Sequence, residues 1–177
     1  MKIAASLRLG NDAREVLGRA ASLDCTVHLV GGALRDALLG RPTRDVDLVA
    51  VKAKPLAKSL ARSLDATLVV LDEKHAVFRL VLRPRQKGVH QIDIAELQGS
   101  TIEEDLARRD FTINAMALRV PSRPPARVSL RLLIDPRGGL ADLRRGLIRA
   151  ESEEPFIDDP LRLLRALRIA AQLGFSI

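Results

Sequence analysis

The stretch that most constrains this chain is residues 30–49, VGGALRDALLGRPTRDVDLV. It reads as the end of one strand, two glycines, a short helix over 33–39, a turn, and a second strand carrying two aspartates. Side chains alternate along a strand, so Asp45 and Asp47 project from one face, roughly 6 to 7 Å apart, while Val46 and Leu48 take the other. One face is therefore core, and the other bears two carboxylates that repel unless water or a cation compensates them. Oxygen ligands on a rigid strand suit Mg2+, which takes one or two carboxylates and completes its shell with water and phosphate oxygens. Gly31 and Gly32 leave backbone N–H groups and the positive end of the helix open to an anion. Two glycines before a helix also fit a plain turn, and an isolated Asp-x-Asp also fits a solvated strand. Separated by twelve residues on consecutive elements, the two motifs together point to a triphosphate bridged to a metal. The pattern is not a P-loop, because no Gly-Lys-Ser/Thr follows the glycines.

Composition narrows the partners. With 177 residues, 47% of them apolar, the chain is long enough for one folded domain with its own core. Lys and Arg outnumber Asp and Glu by 29 to 22, giving a net charge of +7. Since the candidate metal site is acidic, the excess positive charge lies elsewhere, and a polyanion such as nucleic acid is its natural partner. Trp and Tyr are absent and only 4 Phe are present, which argues against a sheet that stacks bases on aromatics. Cys25 is the single cysteine, so a disulfide framework and a multi-cysteine zinc site are excluded, and a buried structural thiol is expected. No run of about 18 apolar residues occurs, and a cytoplasmic protein without membrane contact is expected.

Along the chain, Asn11 and Asp12 cap a helix to about residue 21, and 26–30 alternates as a strand. Leu56, Leu60 and Leu64 give a second amphipathic helix after Pro55. Strands follow at 67–71, 76–82 and 89–95, the last two joined by a charged turn at 83–88, as an antiparallel extension of the sheet. In that last strand Ile92 and Ile94 share one face and Asp93 stands alone on the other: a third carboxylate for the site if the strand lies beside the DVD strand, a surface residue otherwise. Ser100 or Thr101 with Glu103 or Glu104 forms a capping-box pattern. The helix it starts ends by gathering Arg108, Arg109, Asp110 and Asn114, residue types that hold phosphates and accept from ribose hydroxyls, although a helix end with a surface ion pair has the same pattern. Residues 121–126, PSRPPA, form a loop or hairpin tip. Beyond them come a turn at 135–139, a short helix and a strand. The final helix has Asp159 as cap, Pro160 at its first position and Gly174 at its close. Its apolar side comprises Leu163, Leu164, Leu167, Ala170 and Ala171; Arg162, Arg165 and Arg168 recur every three residues, a pattern that also suits a solvated face.

The glycine pair, the twelve-residue spacing and DVD resemble the signature of the DNA polymerase β nucleotidyltransferase superfamily. LVGGALRDALLGRPTRDVDL and DLARRDFTINAMA are similar to the head domain of bacterial class II CCA-adding enzymes and poly(A) polymerases. The resemblance covers about residues 26–175. It implies an α/β fold of the α+β type, with a mixed, mainly antiparallel sheet packed by helices: a head over 1–150, then the start of a helical neck over 151–177. It implies that Asp45, Asp47 and Asp93 bind catalytic Mg2+, that Gly31, Gly32, Arg35 and Arg109 hold the triphosphate, and that Asp110 and Asn114 meet the ribose. Asp135, Gly138, Gly139 and Asp142 match the family's hinge motif. Asp158, Asp159, Arg162, Arg165 and Arg168 match its base-reading motif, which accepts CTP and ATP through a carboxylate facing the exocyclic amino group and an arginine facing the ring nitrogen. The implied reaction is addition of C, and of A where the specificity extends to it, to a tRNA 3′ end.

Three departures from the family bear on that expectation. Asp158 stands where members usually have Glu. Only eleven residues separate Asp93 from Asp105, where many CCA-adding enzymes have a longer loop associated with the switch from CTP to ATP, so CC addition is a live alternative. The family also continues into helices that grip tRNA; here the grip is expected from such helices or from a partner subunit. A poly(A) polymerase shares every motif, and a non-catalytic RNA-binding head would keep the same fold.

Overall fold

The computed structural model describes residues 6–8, 11–23, 25–42, 45–83, 89–121 and 123–177. Its centre is a seven-stranded sheet in the order β4-β5-β6-β3-β2-β7-β9. The strands are β2 (Val27–Val30), β3 (Asp45–Ala50), β4 (Thr67–Asp72), β5 (Val77–Val81), β6 (Gln91–Glu96), β7 (Ala117–Arg119) and β9 (Leu133–Ile134). Every neighbouring pair is antiparallel except β3 and β6, which run parallel. A small second sheet pairs β1 (Ser6–Arg8) with β8 (Arg127–Ser129).

Alternation along the strands sorts the two faces. Val46 and Leu48 of β3, Phe78 and Leu80 of β5, and Ile92 and Ile94 of β6 enter one large core. Helices α1 (Asn11–Ala21), α2 (Gly31–Leu38) and α3 (Ala53–Leu64) close it with Val16 and Leu17, Leu34 and Leu38, and Leu56 and Leu60. The opposite face carries a smaller cluster, Val30, Val49 and Ala117 beneath Ile102 and Leu106 of α4 (Ile102–Ala107). That cluster covers one end of the face only, so Asp45, Asp47 and Asp93 stand at the other end of the same rows.

Local signals account for the helix starts. Thr101 caps α4 by accepting from Glu104 N–H at 3.3 Å, while the Glu104 side chain accepts from the N–H of Ser100, one residue before the cap, at 2.6 Å, a variant of the expected capping box. The Glu96 carboxylate accepts from Lys52 and Ala53 N–H, both at 2.7 Å, and so caps α3 from across the sheet. Cys25 is half-buried rather than buried, packed against the large core.

Several expectations need correction. The glycines do not precede α2 but form its first two residues, because Gly31 adopts φ +64°, which lets β2 turn directly into the helix. The loop at 121–126 joins β7 to β8, which pair with different strands, so it is not a hairpin tip; Ser122 lies outside the described residues. Of the expected turn at 83–88, residues 84–88 also lie outside them. The strand expected after α5 (Gly139–Arg145) is a single bridge between Leu147 and Ser176. A separate short helix, α6 (Glu154–Asp158), precedes the final helix, α7 (Arg162–Leu173), which starts two residues later than expected, with Pro160 in the turn between them. The packing face of α7 is Ala166 and Ile169, whereas Leu163, Leu164 and Leu167 are about 60% exposed.

Candidate active site

The parallel pairing of β3 with β6 makes Asp47 and Asp93 directly opposed, and Asp45 opposes Gln91 in the next row but one. Three carboxylates therefore occupy one sheet face at adjacent positions, as the alternation in both strands predicts. Burial pushes the Asp47 carboxyl above the usual range; the Ala33 N–H works against this, the Asp93 carboxylate adds to it, Arg109 opposes and Asp45 adds. Like charges gathered at a half-buried site fit a hard divalent cation, the partner that would relieve both the desolvation and the repulsion.

The carboxylates nonetheless point to different partners. Asp47 Oδ2 accepts from Ala33 N–H at 3.1 Å, so the α2 N-terminus rests on it. Asp93 accepts from Arg79 through both oxygens, from Nε to Oδ1 and from Nη2 to Oδ2, each at 2.8 Å. Accordingly, no group of three His, Cys, Asp or Glu among the described residues converges as a ready metal cage.

The α2 N-terminus abuts the carboxylates without a side chain between. A Cβ on Gly31 would lie 3.0 Å from Asp47 Oδ2 and 3.5 Å from Arg109 Nη1, and one on Gly32 would lie 3.5 Å from Arg35 Nη2. Arg109 is held in place by Asp105, which is buried on α4 and accepts from its Nε and Nη2 at 3.3 and 3.0 Å. Arg109 Nη1 is thereby presented beside Gly31, next to the helix N-terminus.

Arg35 is buried, with Nη1 donating to Asn114 Oδ1 at 2.9 Å and Nε donating to Asp36 at 2.9 Å. Asn114 Nδ2 in turn donates to Asp110 Oδ1 at 3.3 Å, which also accepts from Phe111 N–H. Asp110 Oδ2 lies 2.9 Å from Arg165 Nε, an ion contact outside hydrogen-bonding directions. A polar chain thus runs from α2 through the 3-10 turn at Thr112–Asn114 to α7. At its far end Asp159 and Arg162 form an ion pair at 3.7 Å, and Arg162 Nη1 donates to the Arg108 carbonyl at 3.2 Å. Asp158 ends α6 and Arg168 sits on α7; both are exposed.

Asp135 does not mark a loose turn: it caps α5, accepting from Gly139 and Leu140 N–H at 2.7 and 2.9 Å. Buried Asp142 accepts from Thr112 Oγ1 at 2.7 Å and from Arg149 Nε at 2.9 Å, tying α5 to the turn that carries Asn114.

Sequence reading missed Arg79, Asp105 and Arg149. Arg79 had a usable signal, a lone cation on an alternating strand next to one with a lone acid on the same face. Asp105 and Arg109 stand four apart, Asp105 on α4 and Arg109 two residues past its end, the spacing of a pair.

A family model described as the poly A polymerase head domain matches residues 27–149, spanning the strands and helices that carry the three carboxylates, the α2 N-terminus and Arg109. The chain belongs to this family. Nucleotidyltransferases of the family generally use divalent metal ions. The CC-adding tRNA nucleotidyltransferase of Geobacter sulfurreducens is 44% identical over 149 residues, which cover 84% of this chain and 32% of the relative. The Thermotoga maritima CCA-adding enzyme complexed with tRNA superposes with a TM-score of 0.76 at 35% identity, over 100% of this chain and 43% of that one. A CCA-adding enzyme in complex with CTP superposes with a TM-score of 0.73 at 37% identity, over 92% of this chain and 38% of that one. The chain spans about a third of the length of the curated relatives it matches. No helix among the described residues is long and apolar enough to cross a membrane.

Proposed function

We propose that this chain is the nucleotidyltransferase head of a cytoplasmic enzyme that adds C, and A where its specificity extends to ATP, to the 3′ end of tRNA. Residues 1–150 form the head in this reading and 151–177 begin a helical neck. The observation that carries it is the parallel register setting Asp93 opposite Asp47, with the α2 N-terminus and Arg109 on the flank away from Asp93.

The metals we assign are two Mg2+ ions, which Asp45, Asp47 and Asp93 would hold and which would supply neutralisation of the phosphates and acidification of the attacking hydroxyl. Backbone N–H groups at Gly31 and Gly32, with Arg35 and Arg109, hold the triphosphate. Asp110 and Asn114 meet the ribose, braced by Arg35 and Arg165. The primer's 3′-oxygen bonds to the α-phosphorus as the bond to pyrophosphate breaks, and the hydroxyl proton leaves to solvent. Asp159 accepts from the exocyclic amino group of cytosine or adenine, and Arg162 donates to the ring nitrogen beside it, with Asp158 and Arg168 flanking. Uracil and guanine would set a carbonyl against the carboxylate with no proton between, leaving polar groups unpaired. The eleven-residue span between Asp93 and Asp105 makes CC addition a live alternative to CCA addition.

Incorporation from each of the four nucleoside triphosphates, measured separately on tRNA ending at the discriminator base with and without Mg2+, tests the reading. Mg2+-dependent addition of two C, with or without A, is expected. A long A ladder would instead indicate a poly(A) polymerase. A folded protein that neither incorporates nor binds CTP would be a non-catalytic module.

A further inference from the structure

Arg79 has no part in the triphosphate or base contacts above, yet it lies in the same row as the carboxylates. Val69, Arg79, Asp93 and Asp47 are successive partners across β4, β5, β6 and β3, so all four project from one sheet face. The Arg79–Asp93 fork uses Nε and Nη2, and the Arg79 side chain remains 34% exposed. The fork fixes the plane of the Asp93 carboxylate, and it leaves Nη1 at the far edge of the guanidinium, pointing away from Asp93.

Direction then matters. Gly31, Gly32 and Arg109 flank Asp47 on its β2 side, whereas Asp93 and Arg79 extend the row toward β5 and β4. In-line transfer puts the attacking oxygen opposite the leaving pyrophosphate. If the triphosphate lies over the β2 side, the primer's 3′ end has to arrive over β6 and β5, where its last phosphodiester is the nearest anion to an arginine whose Nη1 edge makes no hydrogen bond among the described residues. Resting on the transferase reading, we infer that Arg79, anchored by its fork on Asp93, binds the 3′-terminal phosphodiester of the primer strand. A partly exposed cross-strand ion pair with only a structural part in the sheet would affect stability slightly and substrates not at all.

The test pairs Arg79→Gln and Arg79→Lys with two probes: an acceptor-stem minihelix ending at the discriminator base, and the same minihelix with an uncharged methylphosphonate as its last linkage. Minihelix binding is followed by fluorescence anisotropy, CTP binding with Ca2+ by calorimetry, transfer by kcat and KM, and folding by thermal melting. For the wild type, the methylphosphonate should weaken binding and raise the minihelix KM by about tenfold, the scale of one charge-assisted hydrogen bond. Arg79→Gln should show that same loss with the natural minihelix and little further loss with the methylphosphonate. Arg79→Lys should recover part of the binding, and CTP affinity and melting temperature should stay near wild type in both variants. An equal methylphosphonate penalty in wild type and Arg79→Gln overturns the inference, and so does a CTP affinity that falls with minihelix affinity. A wild type that neither binds CTP nor transfers it removes the transferase reading itself, a result separable from either of these.

Discussion

Replacing Gly139 with alanine asks whether α5 and the turn bearing Asn114 are locked together. Gly139 is the first residue of α5 and lacks positive φ, so alanine would normally gain at most about 1 kcal/mol over glycine. Here a Cβ would fall 2.1 Å from the Thr112 carbonyl oxygen, 2.8 Å from its carbon and 3.0 Å from Met116 Cγ. Restoring an ordinary contact of 3.4 Å requires a retreat of about 1.3 Å by one backbone from another. The interface that must open also holds the buried Asp142 carboxylate between Thr112 Oγ1 and Arg149 Nε. Overpacking alone costs about 1–3 kcal/mol, and fully stripping a buried charge of its partner about 3–5. After the helix-propensity gain, a net loss of about 2–4 kcal/mol is expected, or roughly 5–15 °C in melting temperature for a chain of this size. Gly138→Ala is the control: φ is +71°, but its Cβ would meet nothing nearer than Arg149 Nη2 at 4.0 Å, so only backbone strain of about 1–2 kcal/mol applies. Urea and thermal unfolding of both variants decide the matter. A Gly139→Ala protein as stable as wild type, or more stable than Gly138→Ala, would show that α5 is free to shift and refute the lock.

Two further substitutions address the site. Asp47→Asn should abolish transfer and the stabilisation conferred by Mg2+ while the fold persists. Because the Asp47 carboxyl is raised in the fold from 3.8, its contribution favours folding below that value and is lost as pH rises through the raised one. In metal-free buffer, Asp47→Asn should therefore melt no lower than wild type at pH 8 and lose any advantage below pH 4; a variant markedly less stable at pH 8 would contradict the charge strain. Asp159→Asn, which can turn an amide N–H toward a carbonyl, should raise UTP incorporation relative to CTP at least tenfold, on the scale of one rematched polar contact. Unchanged nucleotide ratios would remove Asp159 from base reading.

The parts of the molecule legible in the sequence are those where one periodicity ran long enough to be read. Six residues of DVDLVA and six of QIDIAE each fix a face, but with β4 and β5 between them in the chain their pairing was not legible from pattern, and only the family resemblance joined Asp93 to the carboxylate row. Strands of two or three residues, such as β1, β7, β8 and β9, offer less than one full alternation and carry no such signal. The final helix misled for a different reason. An amphipathic pattern identifies two faces without saying which is buried, and Ala166 with Ile169 packs more closely than the leucines beside them. Arg35 and Arg165 read as separate phosphate and base ligands, whereas in space they lie at two ends of one polar chain, a relation between residues far apart in sequence that no local pattern encodes.

That chain bears on how the site would respond to a nucleotide. Asp110 holds one oxygen against the Phe111 N–H and Asn114, and offers the other to Arg165 on α7 in a contact poorly directed for hydrogen bonding. A buried carboxylate with one oxygen imperfectly satisfied gains most from a better donor, and a ribose hydroxyl is such a donor. Drawing Asp110 toward a ribose would loosen its hold on Arg165, three residues along α7 from Arg162, and so link sugar binding to the placement of the Asp159–Arg162 pair. The leucines of α7 lie on exposed positions of the same helix. Sugar binding and base reading would then share one mechanical element, while the carboxylate row on the sheet stays fixed by its strand register.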